Sequence, residues 1–170
     1  MKKTYLLVDG YNIIFAWDEL KKLSENGLSE ARDRLIHILS NYQGVVKYDI
    51  ILVFDAYKVE GGTGSVLKQD NITVVYTKEA ETADNYIEKT AGRLKAEANV
   101  LVATSDNLEQ IIIMSKGAVR MSASELLRDV NRVGKMIEEK ITRERPVKDN
   151  LLFDNLDEKT REILKKMRRS

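Results

Sequence analysis

The sequence of 170 residues contains no cysteine, one histidine and one proline. The absence of cysteine excludes disulfides, thiolate metal sites and cysteine nucleophiles. The single histidine, His37, lies in a stretch with helical periodicity and is interpreted as an ordinary helix residue, which argues against histidine-based catalysis and zinc binding. Any catalysis therefore depends on carboxylates, hydroxyls, basic groups or a hard metal ion.

Long apolar runs are also missing. No run approaches the roughly 20 residues that a membrane-spanning helix requires. The first residues lead straight into an apolar strand pattern and show no signal-peptide layout. These absences predict a cytoplasmic protein without membrane contact.

Charge is almost balanced overall but is distributed unevenly. The formal net charge is +1. From residue 143 onward there are nine Lys or Arg residues and six Asp or Glu residues, whereas the rest of the chain has 19 Lys or Arg and 21 Asp or Glu. We expect one domain over residues 1–143 and a basic tail with a short helix over residues 144–170, beginning near Pro146. The basic tail favours contact with a polyanion, and a solvated helix face is the alternative.

Apolar strand patterns alternate with helical patterns along the body of the chain. This alternation predicts a three-layer α/β fold with a central, mainly parallel sheet of five strands. Residues 57–65 are rich in glycine but lack the Gly-Lys-Ser/Thr ending of a phosphate-binding loop, so they are interpreted as a surface loop. Residues 107–116 have helical spacing and end at a glycine.

Helix boundaries are predicted from capping residues. Residues 11–23 are predicted to form one helix, and Ser29 is predicted to cap a second helix that ends shortly before Gly44. Thr82 is placed to cap the helix after the third strand. Residues 122–125 match a capping box and open a long amphipathic helix.

Aspartates follow three of the predicted strands at the point where each strand ends, namely Asp9, Asp55 and Asp106. The carboxyl ends of parallel strands meet at one edge of a sheet, where ligands bind in open α/β folds. Two unit charges about 4 Å apart repel by roughly 4 kcal/mol at an effective dielectric constant of about 20, so grouped carboxylates require a cation. Oxygen ligands select Mg²⁺, Mn²⁺ or Ca²⁺, and such a site suits phosphodiester hydrolysis.

A second acidic cluster, which includes Glu81 and Asp84, opens the helix after the third strand, at the same edge of the sheet. Its neighbour Asn85 is a further candidate for substrate binding. The alternative is structural, because a carboxylate in the first turn of a helix is stabilised by the helix dipole, and Asp9 and Asp106 are also placed to cap helices.

Polar and aromatic residues next to the aspartates are supporting candidates. Asn12 is placed to hold Asp9 or to contact a substrate phosphate, and Thr104 and Ser105 are similar candidates beside Asp106. Tyr57 and Lys58 are an aromatic and basic pair suited to nucleic acid, and an ordinary loop is the alternative.

Four segments together resemble one known family, namely residues 7–12, 53–57, 82–87 and 104–106. They are similar to the NYN domain, in particular its YacP-like bacterial branch, within the PIN-like nuclease superfamily. The resemblance covers residues 3–141 and extends to the tail.

This resemblance implies a PIN-like sheet with the first strand at its centre and an Mg²⁺- or Mn²⁺-dependent ribonuclease. It assigns metal binding and catalysis to Asp9, Asp84 and Asp106, with Asp55 and Asn12 nearby. A similar member of that branch is an endoribonuclease that enters the ribosomal A site and cuts messenger RNA, so single-stranded RNA and the ribosome are the expected partners. One or two metal ions remain open at this stage.

Other functions are weighed against this one. A catalytically weak RNA- or ribosome-binding module on the same fold is the main alternative. A phospho-acceptor signalling domain needs an acidic pair at the first strand and a lysine at the fifth, where Gly10 and Arg120 stand instead. Dinucleotide binding lacks its glycine fingerprint, and a haloacid-type phosphatase needs a second acid where Tyr11 stands.

Overall fold

The computed structural model describes residues 2–56, 64–107 and 117–144. These residues form six strands and five helices in an α/β arrangement. The strands are β1 (Thr4–Asp9), β2 (Asp49–Phe54), β3 (Ser65–Gln69), β4 (Ile72–Tyr76), β5 (Asn99–Ala103) and β6 (Val119–Met121). The helices are α1 (Gly10–Ala16), α2 (Asp18–Ser24), α3 (Leu28–Val46), α4 (Ala83–Leu94) and α5 (Ala123–Glu144). The predicted α/β class is confirmed.

The strands form one sheet in the order β3-β4-β2-β1-β5-β6. Every neighbouring pair is parallel except β3 with β4, which is antiparallel. The first strand lies inside the sheet between β2 and β5, as the resemblance implied. In this register Asp9 is opposite Val53 of β2, and Val8 is opposite Ala103 of β5.

The sheet has six strands rather than the predicted five, because the edge strand β3 was missed. Val66 and Leu67 of β3 are exposed, and four of its five residues lie at the surface. A strand without a buried face lacks the alternation of apolar and polar residues that marks a strand in sequence. Its pairing with β4 therefore depends on backbone hydrogen bonds rather than on a sequence pattern.

Helices cover both faces of the sheet. Successive strand residues point to opposite faces, and Leu6, Leu7 and Val8 of β1 are all fully buried. Leu7 packs in one cluster with Ile87 of α4, and α1 and α3 also pack against the sheet. A shift of β1 by one residue would move Asp9 from its position opposite Val53, so the register of β1 sets where this carboxylate lies.

The predicted helix over residues 11–23 is wrong in one respect, since it is two helices. Trp17 separates α1 from α2 with an extended backbone at φ −93° and ψ 122°. Its buried indole Nε1 donates a hydrogen bond to the carbonyl oxygen of Ala123 at 2.8 Å. This contact joins residues 106 positions apart, so no local sequence pattern announces the break.

Capping predictions were right for two helices and wrong for one. The Thr82 hydroxyl accepts a hydrogen bond from the Asn85 backbone N–H at 3.1 Å, and Ser122 caps α5 through Glu125 at the same distance. The helix α3 instead begins after Gly27, which has φ 141°, and not after Ser29. It continues through Gly44 and ends at Val46, and the left-handed φ of 61° at Lys47 provides the stop.

The described residues fall into two units, the first ending at Val133 and the second beginning at Gly134. None of the described helices is long and apolar enough to cross a membrane. Several predictions lie wholly or mostly outside the described residues: the loop over 57–65, the helical stretch over 107–116 and the tail beyond 144. The described end of that predicted loop is partly wrong, because Ser65 begins β3. The division into a domain over 1–143 and a tail over 144–170 stays a prediction.

Candidate active site

Asp9 lies at the carboxyl end of β1 and at the N-terminus of α1. Asp9 is buried, with only 6% of its surface exposed. Its side chain makes no capping hydrogen bond to α1, so the structural alternative of a helix cap does not account for it. The central strand thus delivers a buried carboxylate to the edge of the sheet where ligands bind in this class of fold.

Gly10 is required by packing rather than by an unusual backbone angle. Gly10 is the first residue of α1 and is not among the described glycines with positive φ. A Cβ atom at Gly10 would overlap the Cδ1 and Cε1 atoms of the Phe54 ring. The missing side chain therefore lets Phe54 pack directly beneath the residue that follows Asp9.

Asn12 ties the end of β5 to α1. Its Oδ1 accepts a hydrogen bond from the Thr104 hydroxyl at 3.2 Å, and it also accepts from the backbone N–H and the hydroxyl of Ser105. The Thr104 hydroxyl in turn accepts from the Asp106 backbone N–H at 3.1 Å. This network fixes the turn that carries Asp106, three residues past Ala103, which is opposite Val8.

Asp55 acts as a cap for α4. Its Oδ1 accepts a hydrogen bond from the backbone N–H of Ala83 at 2.6 Å. Asp84 is the next residue, exposed in the first turn of the same helix. Asp55 therefore anchors the helix end that carries Asp84, which is a structural role beside the one expected of it.

Asp9, Asp55, Asp84 and Asp106 lie at the same edge of the sheet, but their side chains do not form a preformed metal-binding cluster. Within residues 2–56, 64–107 and 117–144, no three Asp, Glu or His side chains are grouped closely enough to hold a metal ion. Their chemistry still fits Mg²⁺, which is usually bound by one or two carboxylates, waters and substrate phosphates. The assignment of Asp9, Asp84 and Asp106 as ligands stays a prediction.

Residues 6–169 match the YacP-like NYN domain. The chain belongs to the YacP-like NYN domain family. YacP from Bacillus subtilis (strain 168) is 48% identical over 147 residues, which cover 83% of this chain and 85% of that protein. Membership of the family supports a nuclease-type function.

Two solved structures agree with this assignment. The crystal structure of Rae1 (YacP) from Bacillus subtilis matches with a TM-score of 0.72 and 42% identity, over 98% of this chain and 95% of that one. A single-residue mutant of the same protein matches with the same TM-score and identity, over 84% and 83%. The NYN sheet and its helices are therefore shared with a solved relative.

An aromatic group next to Asp9 in this NYN domain was missed by sequence reasoning. The Tyr11 ring contacts Phe54 with centroids 5.0 Å apart and Phe15 with centroids 6.5 Å apart. Arg32 Nη1 donates a hydrogen bond to the Tyr11 hydroxyl oxygen at 3.0 Å. Burial raises the pKa of Tyr11, and the nearby Arg32 cation partly opposes that rise. The one sequence signal for the contact between Arg32 and Tyr11 is that Arg32 lies near the start of a helix that precedes a parallel strand.

The side chains of Glu81 and Asn85 make none of the hydrogen bonds described above. Glu81 pairs with Lys89 of α4 at 3.2 Å. Both residues line a depression of about 440 Å³ along α4, together with Ala80, Glu88, Lys89 and Gly92. Their predicted supporting role is not tested by these contacts. Tyr57 and Lys58 lie outside the described residues.

Proposed function

We propose that this YacP-like NYN protein is a metal-dependent endoribonuclease that cleaves single-stranded RNA, with messenger RNA on the translating ribosome as its substrate. The observation that carries the proposal is Asp9, a carboxylate held 6% exposed at the ligand-binding edge of the sheet and not used as a helix cap. The family supports the nuclease type of function, and the ion, the RNA and the ribosome are the proposed part.

Asp9, Asp84 and Asp106 are the side chains proposed to hold Mg²⁺ or Mn²⁺. When bound, such an ion lowers the pKa of a water molecule and stabilises the leaving oxygen of a phosphodiester. Asn12 contributes by fixing the Thr104–Ser105 turn and with it the backbone of Asp106. Asp55 contributes by anchoring the first turn of α4, which carries Asp84.

A second function is favoured by one observation. The described residues contain no group of three acidic side chains close enough to hold a metal ion. A catalytically weak RNA- or ribosome-binding module needs no such group. The two functions differ in whether Asp9 and Asp84 are required for cutting or whether no cutting occurs.

The test is cleavage of an end-labelled single-stranded RNA by the purified full chain, with Mg²⁺, with Mn²⁺ and with EDTA. We expect cleavage only with a metal ion, and we expect Asp9→Asn and Asp84→Asn each to lower its rate by about 100-fold or more. The matched control is Asp70→Asn. Asp70 is an exposed aspartate in the turn between β3 and β4, at the amino end of β4 and so at the opposite end of the parallel strands from Asp9. Asp70 has φ 53°, which asparagine tolerates well.

Thermal unfolding of each variant separates lost chemistry from lost folding. If both active-site variants cut as fast as the control, the assignment is wrong. If the parent cuts nothing under any metal, on naked RNA or on translating ribosomes, but binds either one, the binding module is the correct function.

A further inference from the structure

Two side chains flank Tyr11 on the surface beside Asp9. The Phe15 ring lies against the Tyr11 ring at an interplanar angle of 27°, yet Phe15 is 43% exposed. Arg32 reaches the other end of the same side chain through its hydrogen bond to the phenol oxygen. Tyr11 itself is 3% exposed, so one buried side chain contacts both an exposed aromatic ring and a guanidinium.

The topology places this pair at the same edge of the sheet as the acids. Tyr11 lies two residues past Asp9 in the first turn of α1. The helix α3 leads into β2, which is parallel to β1, so its first turns lie at the carboxyl ends of the strands. Arg32, in the second turn of α3, is therefore at the same end of the parallel strands as Asp9 and Asp55.

The charge of Arg32 is not neutralised by a carboxylate in the described part of the chain. Its hydrogen bond goes to a phenol, whereas Arg34 on the same helix pairs with Glu19 at 3.2 Å and Arg132 pairs with Asp129 at 2.9 Å. A guanidinium carries five N–H donors in a planar fork that matches phosphate oxygens. One donor of Arg32 is used in the hydrogen bond to Tyr11, and within the described residues its side chain has no other hydrogen-bond partner.

We propose that Arg32 and Phe15 form a subsite for single-stranded RNA beside the acidic edge, with Arg32 binding a backbone phosphate and Phe15 stacking on a base. Proteins that bind single strands combine cations along the backbone with aromatic side chains under the bases. Phe15, which is exposed, and Arg32, which lacks a carboxylate partner in the described residues, supply these two parts and both contact Tyr11. This inference rests on the proposed function, because it names how the same site takes its RNA.

The test is fluorescence anisotropy of a short labelled single-stranded RNA with the full chain, in Ca²⁺ and at several salt concentrations. We expect Arg32→Gln to weaken binding about tenfold and to lower the slope of log affinity against log salt by about 0.7, because one phosphate contact is lost. We expect Phe15→Ala to weaken binding about tenfold with the slope unchanged, because a stacking contact releases no counterion.

Matched controls are Arg34→Gln on the same helix and Val66→Ala, an exposed apolar residue on β3. Neither is expected to change the affinity or the salt slope. Tyr11→Phe removes the acceptor that holds Arg32 and is expected to give a smaller loss than Arg32→Gln, with the ring contacts retained. Arg32→Lys keeps the charge without the planar fork and is expected to fall between the parent and Arg32→Gln.

Equal affinities and salt slopes for Arg32→Gln and Arg34→Gln would overturn the subsite. If the parent cleaves RNA while Arg32→Gln and Phe15→Ala bind RNA like the parent, only the subsite is wrong. If the parent neither binds nor cleaves RNA, the subsite and the proposed function both fall. A parent that binds without cleaving, with both variants weakened as described, supports the subsite and overturns the catalysis.

Discussion

The Asp55 carboxylate accepts a hydrogen bond from the backbone N–H of Ala83 at 2.6 Å, across 28 residues of chain. This bond fastens the end of β2 to the first turn of α4, and Asp84 is the next residue along that helix. Helix ends leave backbone N–H groups without partners, and a side chain that accepts from one of them stabilises the helix. The position of Asp84 therefore depends on an aspartate that stands outside the assigned ligands.

We expect Asp55→Ala to lower the free energy of unfolding by about 1–2 kcal/mol, since a helix cap is lost. We also expect slower RNA cleavage, because the first turn of α4 loses its anchor. Asp55→Asn keeps an acceptor oxygen and is expected to lose less of both. Urea unfolding and cleavage assays on the two variants check this, and equal cleavage by Asp55→Ala and the parent would exclude the positioning role.

Gly10 offers a test of packing next to Asp9. We expect Gly10→Ala to destabilise the protein by about 1–3 kcal/mol, because the new Cβ overlaps the Phe54 ring and forces a shift in a packed core. The control is Gly44→Ala, a helical position where a Cβ meets nothing within 4 Å, and alanine there is expected to be neutral or stabilising.

The double variant Gly10→Ala with Phe54→Leu isolates the cause of that loss. If the ring overlap is responsible, the two changes together cost less than the sum of their separate costs. Strictly additive losses in thermal or urea unfolding would mean that Gly10 matters for another reason.

Asn12 is expected to act on Asp106 rather than on stability. Removing its oxygen by Asn12→Ala leaves the Thr104 and Ser105 donors without their shared acceptor. We expect cleavage to fall about 10- to 100-fold, as is typical when a residue that orients a metal ligand is lost. The control is Asn41→Ala, an exposed helix residue that contacts His37, and it should cut like the parent. If variants that cut like the parent lose as much melting temperature as Asn12→Ala, its effect on cleavage is specific. If Asn12→Ala alone loses melting temperature, its slower cleavage reflects lost folding.

The contact between Tyr42 and Asp129 predicts a pH dependence of stability. The buried Tyr42 hydroxyl donates to Asp129 Oδ2 at 2.5 Å, and Arg132 also contacts this carboxylate. The Tyr42 hydrogen bond lowers the pKa of Asp129, burial opposes that shift, and Arg132 adds to it. Burial and the neighbouring carboxylate raise the pKa of Tyr42, which keeps the phenol a donor.

A lowered pKa in the folded state means that the ionised Asp129 stabilises the protein above the carboxyl's unfolded value of 3.8. That stability is lost as the pH falls through the lower folded value. We expect Tyr42→Phe to lower the free energy of unfolding by about 1 kcal/mol at pH 7, because it removes a hydrogen bond to a charged group whose strength is reduced by solvent screening. The cost should shrink below pH 3.8 in urea unfolding, and a constant difference across that range would contradict the linkage.

Sequence patterns predicted the features that depend on neighbouring residues. The buried run of β1 ends in Asp9 as expected, and Thr82 and Ser122 cap their helices because a cap and its partner lie three residues apart. Contacts between distant residues were not accessible. The break at Trp17 depends on Ala123. The capping role of Asp55 depends likewise on a residue in another element.

The site shows the same limit. The aspartates at the strand ends were found because each follows a buried strand, and the register of the sheet brings their strands together. The support given by Tyr11 to Arg32 was missed, because 21 residues separate the pair and neither belongs to an acidic pattern. Which acids lie close enough to share an ion depends on side-chain directions that no spacing in sequence determines.

The central claim is that Asp9 helps to hold the ion of an RNA-cleaving site. Its most direct test is a crystal of the full chain soaked with Mn²⁺, with anomalous density compared between the parent and Asp9→Asn. We expect a peak at coordinating distance from Asp9 and from Asp84 or Asp106, and we expect it to disappear in the variant. A Mn²⁺ peak elsewhere, or one that stays in the variant, in a protein that cleaves RNA would contradict it.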